Sequence, residues 1–194
     1  MSRRDAFIRI QHFTSMNSKR LFAALAVAIA ATVGGFYAGH LFTGSDTEAA
    51  TQPNGNAVDQ LWKITPPAAS GTSQPLAAYK AKPVVVNFWA SWCGPCVKEM
   101  PTLSALQREY QKKGITFIGL GVDSEKNVND FLKKVPVDYP VYVTGFGGAD
   151  LARSFGNNAG GLPFTVVIDA KGVVHSTKLG EVNEAELRHT LDAL

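Results

Sequence analysis

Cys93 and Cys96 are the only cysteines in the 194-residue chain, and they sit two residues apart in the stretch NFWASWCGPCVKEMP, Asn87 to Pro101. Two thiols cannot build a disulfide framework, and they cannot fill a four-ligand structural zinc site without help. The four histidines, His12, His40, His175 and His189, fall at no metal-ligand spacing. What a close thiol pair can do is exchange disulfides. The thiolate is the nucleophile, and it is favoured at a helix start, where free N–H groups and the positive end of the dipole face it. Cys93 is therefore read as the attacking thiol, with a pKa expected below that of a free cysteine. Cys96, one turn later, is placed to resolve a mixed disulfide on Cys93. Gly94 and Pro95 shape the turn between them, since proline suits the first turn of a helix.

This chemistry needs a strand before the motif and a helix after it. PVVVNFWA is a β-branched and aromatic run that predicts a buried strand. From Cys93 a helix is predicted with Val97, Met100, Leu103 or Ser104, Leu106 and Tyr110 on its buried face, kinked at Pro101 and ended by Gly114. ITFIGLGVD is the next strand. SEKNVNDFLKKV is amphipathic, with Asp123 or Ser124 as cap. YPVYVT, GGADLARSFG and FTVVIDAKGVVHSTKL predict a short strand, a short helix and a strand pair around DAKG. NEAELRHTLDAL closes the chain as a helix, with Asn183 and Glu186 at capping-box spacing. The order β-α-β-α-β-α-β-β-α implies an α/β domain with a mixed sheet. Residues 58–82 predict a short hairpin or an extended segment.

Five of the 19 basic residues and one of the 16 acidic residues lie in residues 1–20, which leaves residues 21–194 near neutral. A nucleic-acid partner is not expected, because it would want a basic face on the folded part. Leu21–Gly39 holds 19 residues without a charge. As a helix it spans roughly 28 Å, close to a hydrocarbon core of about 30 Å. Lys19 and Arg20 before it put the N-terminus in the cytoplasm. The segment reads as a retained signal-anchor. A cleaved signal peptide, cut after the TEA ending at Ala49, is the alternative. Met16 is a second candidate start. The organisation expected is a basic tail (1–20), an anchor (21–39), a linker (40–57) and a folded domain (58–194). An exported domain of this kind meets an oxidising compartment.

WCGPC after VVNFWAS resembles the thioredoxin superfamily. WCGPCVKEMP is similar, more narrowly, to the membrane-anchored TlpA/ResA-type proteins. Those are exported thiol-disulfide oxidoreductases that include cytochrome c maturation reductases. The resemblance covers about residues 58–194. It implies a thioredoxin fold with a central β-α insertion, for which SEKNVNDFLKKV to YPVYVT has the place and size. It implies that Pro163 is a cis-proline beside the thiols, with Leu162 offering its backbone to substrate. It implies that Glu99 takes a proton from Cys96 or raises thiol pKa values by like-charge repulsion. Trp92 would flank the site, and Trp89 would sit in the core. Ordinary thioredoxins carry an aspartate where this chain has Asn87, so the usual proton relay is absent and Glu99 stands in for it.

The resemblance also implies protein thiols and disulfides as substrates, no cofactor beyond the Cys93–Cys96 disulfide, no metal, and residence in the inner membrane with the C-terminal domain in the periplasm. For a reductant, electrons would come from a membrane carrier of the DsbD/CcdA type. A disulfide-forming oxidase and a copper(I) assembly chaperone remain as alternatives.

Overall fold

The computed structural model describes residues 55–194. The basic tail, the apolar segment 21–39 and residues 40–54 of the linker lie outside the described residues. Among the described residues, no helix is long and apolar enough to cross a membrane.

Strand β1, Val84–Trp89, is the centre of the fold, and all six of its residues are buried. It pairs in parallel with β2, Thr116–Gly121, which pairs in parallel with β3, Val141–Val143. On its other side β1 pairs antiparallel with β4, Phe164–Ile168, which pairs antiparallel with β5, Val174–Leu179. The sheet order is β3-β2-β1-β4-β5. Alternation along β1 feeds two cores. Val84, Val86 and Phe88 join one cluster, and Val85 and Trp89 join the other.

The first cluster is closed by α1, Gly55–Lys63, and α4, Gly147–Ser154. The second is closed by α2, Gly94–Tyr110, α3, Glu125–Leu132, and α5, Glu184–Asp192. Helix α2 continues through Pro101 to Tyr110, and a short 3-10 turn then ends at Gly114 in a left-handed conformation, φ 80°. Helix α3 approaches β2 closely. A Cβ on Gly121 would lie 2.8 Å from Val128 Cγ2, so only glycine leaves room there. Ser124, rather than Asp123, caps α3, and Asn183 caps α5 by accepting from the Glu186 N–H at 3.1 Å.

Of the two expectations for residues 58–82, the hairpin is corrected, and the extended segment holds for the residues that run along β3. Residues 58–82 contain no hairpin. Gly55–Lys63 is a helix, so the last three residues assigned to the linker belong to the domain. Val58, Leu61 and Trp62 recur at i, i+3 and i+4, and with Ala57 they bury one face against the sheet. The chain then runs extended along the outer edge of β3. The Val143 N–H donates to Pro67 O at 2.8 Å, and the Ala69 N–H donates to Val141 O at 2.9 Å. This covers an edge that would otherwise offer unpaired backbone groups.

Leu61 is fully buried. Leu61→Ala is expected to lower unfolding free energy by about 3 kcal/mol, as cavity formation in a core does. Urea unfolding of the full-length protein measures it. A loss under about 0.5 kcal/mol would be that of a surface site and would detach α1 from the core.

Candidate active site

The three parallel strands end at one edge of the sheet, and β4 begins there. The turn after β1 holds Ser91, Trp92 and Cys93 at that edge. Cys93 is the N-cap of α2, with extended backbone, and its Sγ accepts the Cys96 N–H at 3.2 Å. Pro95 occupies the first turn. Cys93 and Cys96 are joined as a disulfide, with Cα atoms 5.3 Å apart. Their environments differ: Cys93 lies at the surface end with 6% exposure, and Cys96 has none. Gly94 and Pro95 are exposed, and Trp92 is 70% exposed beside them. Trp89 is fully buried, as expected for a core aromatic.

The turn is tied down by a residue that the sequence offered only as a helix cap. Asp123, just past β2, accepts the Ser91 hydroxyl at 2.6 Å and the Ser91 N–H at 3.2 Å through Oδ2. Its Oδ1 accepts the Ser124 N–H at 2.7 Å and Asn127 Nδ2 at 2.8 Å. Burial alone would raise its pKa, but these donors hold it below the ordinary carboxylate value. Asp123 thereby joins the segment entering Cys93 to the start of α3.

Glu99 lies one turn after Cys96 on the same buried face of α2, with 2% exposure. Asn87 Nδ2 donates to its Oε1 at 2.7 Å, and the Val182 N–H donates to its Oε2 at 2.9 Å. Asn87 Nδ2 also donates to Thr165 Oγ1 at 3.0 Å. So Asn87 is not an empty replacement for a proton carrier; it is a donor that holds the carboxylate on α2. Burial pushes the Glu99 pKa up to about 6 from 4.5, against the Val182 and Asn87 donors and with a smaller push from Glu181. Glu181 itself is paired with Lys98 at 3.0 Å. Burial first, and the Glu99 charge second, push the buried Tyr139 phenol upward.

The Leu162–Pro163 peptide bond is cis. Pro163 is buried, and its carbonyl accepts the Gly180 N–H at 2.8 Å, extending the β4–β5 ladder. Leu162 is half-buried and packs against both clusters, including the one that contains the two cysteines. His175 lies toward the other end of the sheet. It follows Val174, whose register partner Ile168 faces Val84 at the start of β1, and its Nε2 is 3.0 Å from Asp169 Oδ2. It cannot join the thiols in a shared copper site.

The Redoxin family model matches residues 51–194. The chain belongs to the Redoxin family. Among relatives of this Redoxin chain, the thioredoxin-like protein YneN of Bacillus subtilis (strain 168) is 34% identical over 128 residues, 63% of this chain and 71% of that protein. The thiol-disulfide oxidoreductase ResA of Geobacillus thermodenitrificans (strain NG80-2) is 30% identical over 125 residues, 64% of this chain and 70% of that protein. The crystal structure of a thioredoxin-related protein from Neisseria meningitidis serogroup B is 41% identical, with a TM-score of 0.55, covering 68% of this chain and 94% of that one. The thioredoxin-superfamily, ResA-type resemblance therefore holds. With a disulfide at the helix start, this Redoxin chain is a thiol-disulfide oxidoreductase.

The raised Glu99 pKa fixes a pH dependence of stability. The folded state holds this proton more tightly than the unfolded chain does. Its contribution is therefore complete below about pH 4.5 and is lost as pH rises through about 6. The loss should approach about 2 kcal/mol. In the oxidised protein, urea unfolding between these limits should show that fall, and Glu99→Gln should flatten it. An equal slope in both proteins would remove Glu99 as its source.

Proposed function

We propose that the chain is a disulfide reductase acting on exported proteins, held to the inner membrane by residues 21–39 with the Redoxin domain in the periplasm. The observation that carries the reading is the asymmetry of the two sulfurs beside a buried carboxylate: Cys93 keeps 6% exposure, Cys96 has none, and Glu99 follows one turn later. Gly94-Pro95 between the cysteines, the dipeptide of reducing thioredoxins, supports the direction. The uncharged run Leu21–Gly39 behind Lys19 and Arg20 supports the location.

In the reducing direction Cys93, as thiolate, attacks one sulfur of a substrate disulfide. The other substrate sulfur leaves as a thiolate and takes a proton from solvent. A mixed disulfide now joins Cys93 to substrate. Glu99 accepts the Cys96 proton, and the Cys96 thiolate attacks Cys93 Sγ. The second substrate sulfur departs, so two electrons have passed to the substrate and Cys93–Cys96 is a disulfide. A membrane dithiol donor of the DsbD/CcdA type would return the pair to the reduced state. Leu162 and Pro163 line the same edge and would guide the substrate backbone. Apocytochrome c and proteins awaiting a metal are the substrate classes this reading favours.

The deciding measurement is the reduction potential of the Cys93–Cys96 pair in the full-length protein, equilibrated against dithiothreitol or glutathione. The expected value is near that of thioredoxin, about −270 mV, or lower. A value near about −120 mV, as in DsbA, would make the chain a disulfide donor instead. Cys96→Ser should leave substrate covalently held on Cys93, visible as a mass adduct. Cys93→Ser should hold none; a comparable adduct on Cys96 would reverse the two roles.

A further inference from the structure

One edge of the sheet carries exposed apolar side chains that the folded state does not use. Val143, Gly121 and Trp89 are register partners across β3, β2 and β1. Phe88, Phe164 and Leu179 continue the row across β1, β4 and β5. Three residues beyond Trp89 stands Trp92, and three residues beyond Val143 stands Phe146. Trp92 is 70% exposed, Phe146 89% and Leu179 48%. All three lie at the sheet edge where Cys93 follows β1.

Phe146 is held in the open by a fixed backbone. The Thr144 N–H and hydroxyl both donate to Gly121 O, at 2.9 and 3.0 Å. The Gly148 N–H donates to Gly145 O at 3.1 Å, and the Ala149 N–H donates to Phe146 O at 3.0 Å. Gly148 is pressed against this turn, since a Cβ there would lie 2.2 Å from Thr144 Oγ1. A phenyl ring on so anchored a turn gains nothing from packing within the domain.

A cleft of about 390 Å³ opens at the residues flanking Phe146, Thr144 and Gly147. Ile64, Pro66, Pro67, Val143 and Leu151 give it apolar walls, and no charged side chain lines it. Pro66 and Pro67 offer no N–H, and Pro67 O already accepts from Val143. An incoming strand therefore has little backbone to pair with here. The cleft suits a side chain, and an apolar one.

We infer that Phe146 and the cleft beside it form a docking subsite for an apolar side chain of the protein substrate, about three residues from the cysteine being attacked. The inference rests on the reading of the chain as acting on protein disulfides. Disulfide exchange at Cys93 brings the substrate chain to this edge, and a chain that runs from Cys93 toward β3 passes Phe146. From β1 to β3 is two strand spacings, about 10 Å, and an extended chain advances roughly 3.3 Å per residue. A leucine or phenylalanine three residues from the substrate cysteine thus reaches Phe146 while the cysteine sits at Cys93. The subsite selects among polypeptides and leaves the electron transfer itself untouched.

The test uses the full-length reduced protein and two peptide disulfides of equal length. One carries leucine three residues to either side of its cysteine, and the other carries serine at those positions. Hydroxyethyl disulfide, which has no side chains, is the third substrate. The wild-type protein should show a KM for the leucine peptide on the order of tenfold below that for the serine peptide, with similar kcat. In Phe146→Ser the ratio of the two KM values should collapse toward one. Because both peptides are measured on the same variant, any general loss of activity cancels. Equal KM values in the wild type, as when a second copy of the chain or its own residues 21–39 cover this edge, would overturn the subsite. So would a preference that survives Phe146→Ser. A wild-type protein that reduces neither peptide nor hydroxyethyl disulfide would overturn the redox reading beneath it.

Discussion

A carboxylate cannot be taken out of water without donors to face it, and the architecture of this site is organised around meeting that demand for Glu99. The donors come from distant parts of the chain. Asn87 reaches it from the central strand, and the Val182 N–H reaches it from the turn before α5. Thr165 on β4 fixes the Asn87 amide in turn. One side chain on α2 is thereby joined to β1, β4 and the C-terminal helix entry. The two donors leave the carboxylate buried but not strongly acidic. Burial holds its pKa at about 6, so both its protonated and its ionised forms are populated close to neutral pH.

The same economy of placement separates the two thiols. Cys93 caps α2 at the surface end, with the Cys96 N–H aimed at its sulfur. Cys96 is fully enclosed, one turn above Glu99. Asp123 fixes the approach to Cys93 from outside the helix, holding both polar groups of Ser91. Chemistry is concentrated at one end of the sheet. The Asp169–His175 pair, at the other end, serves the β4–β5 turn, where Asp169 also accepts from the Lys171 and Val173 N–H groups at 2.8 Å.

From Lys82 onward the sequence was a good guide, because the elements there carry strong periodicity and unambiguous ends. The buried run before WCGPC, the amphipathic α3 and the Asn183 cap could each be read from local pattern. Helix α1 was not found. Its nine residues begin inside the turn-like Pro53-Asn54-Gly55 and precede Pro66-Pro67, so the three apolar positions at helical spacing were outweighed by their flanks. Asn87 was read as the absence of a proton carrier, since a single position cannot disclose that its partner lies twelve residues on. Val182 left no trace at all, because its contribution is a backbone N–H and any residue but proline supplies one. Asp123 had a signal, a carboxylate at the end of a predicted strand, but its partner Ser91 sits 32 residues earlier.

The bond between Glu99 and Val182 spans 83 positions of the chain. A ribosome makes the cysteines, their helix and the carboxylate long before it makes the N–H that completes their surroundings. Until Val182 emerges, the growing polypeptide carries two thiols beside an acid with one of its two donors missing. The surroundings of Glu99 are complete only when the turn before α5 lies against α2. Any truncation short of that turn removes a donor from a carboxylate 83 residues upstream.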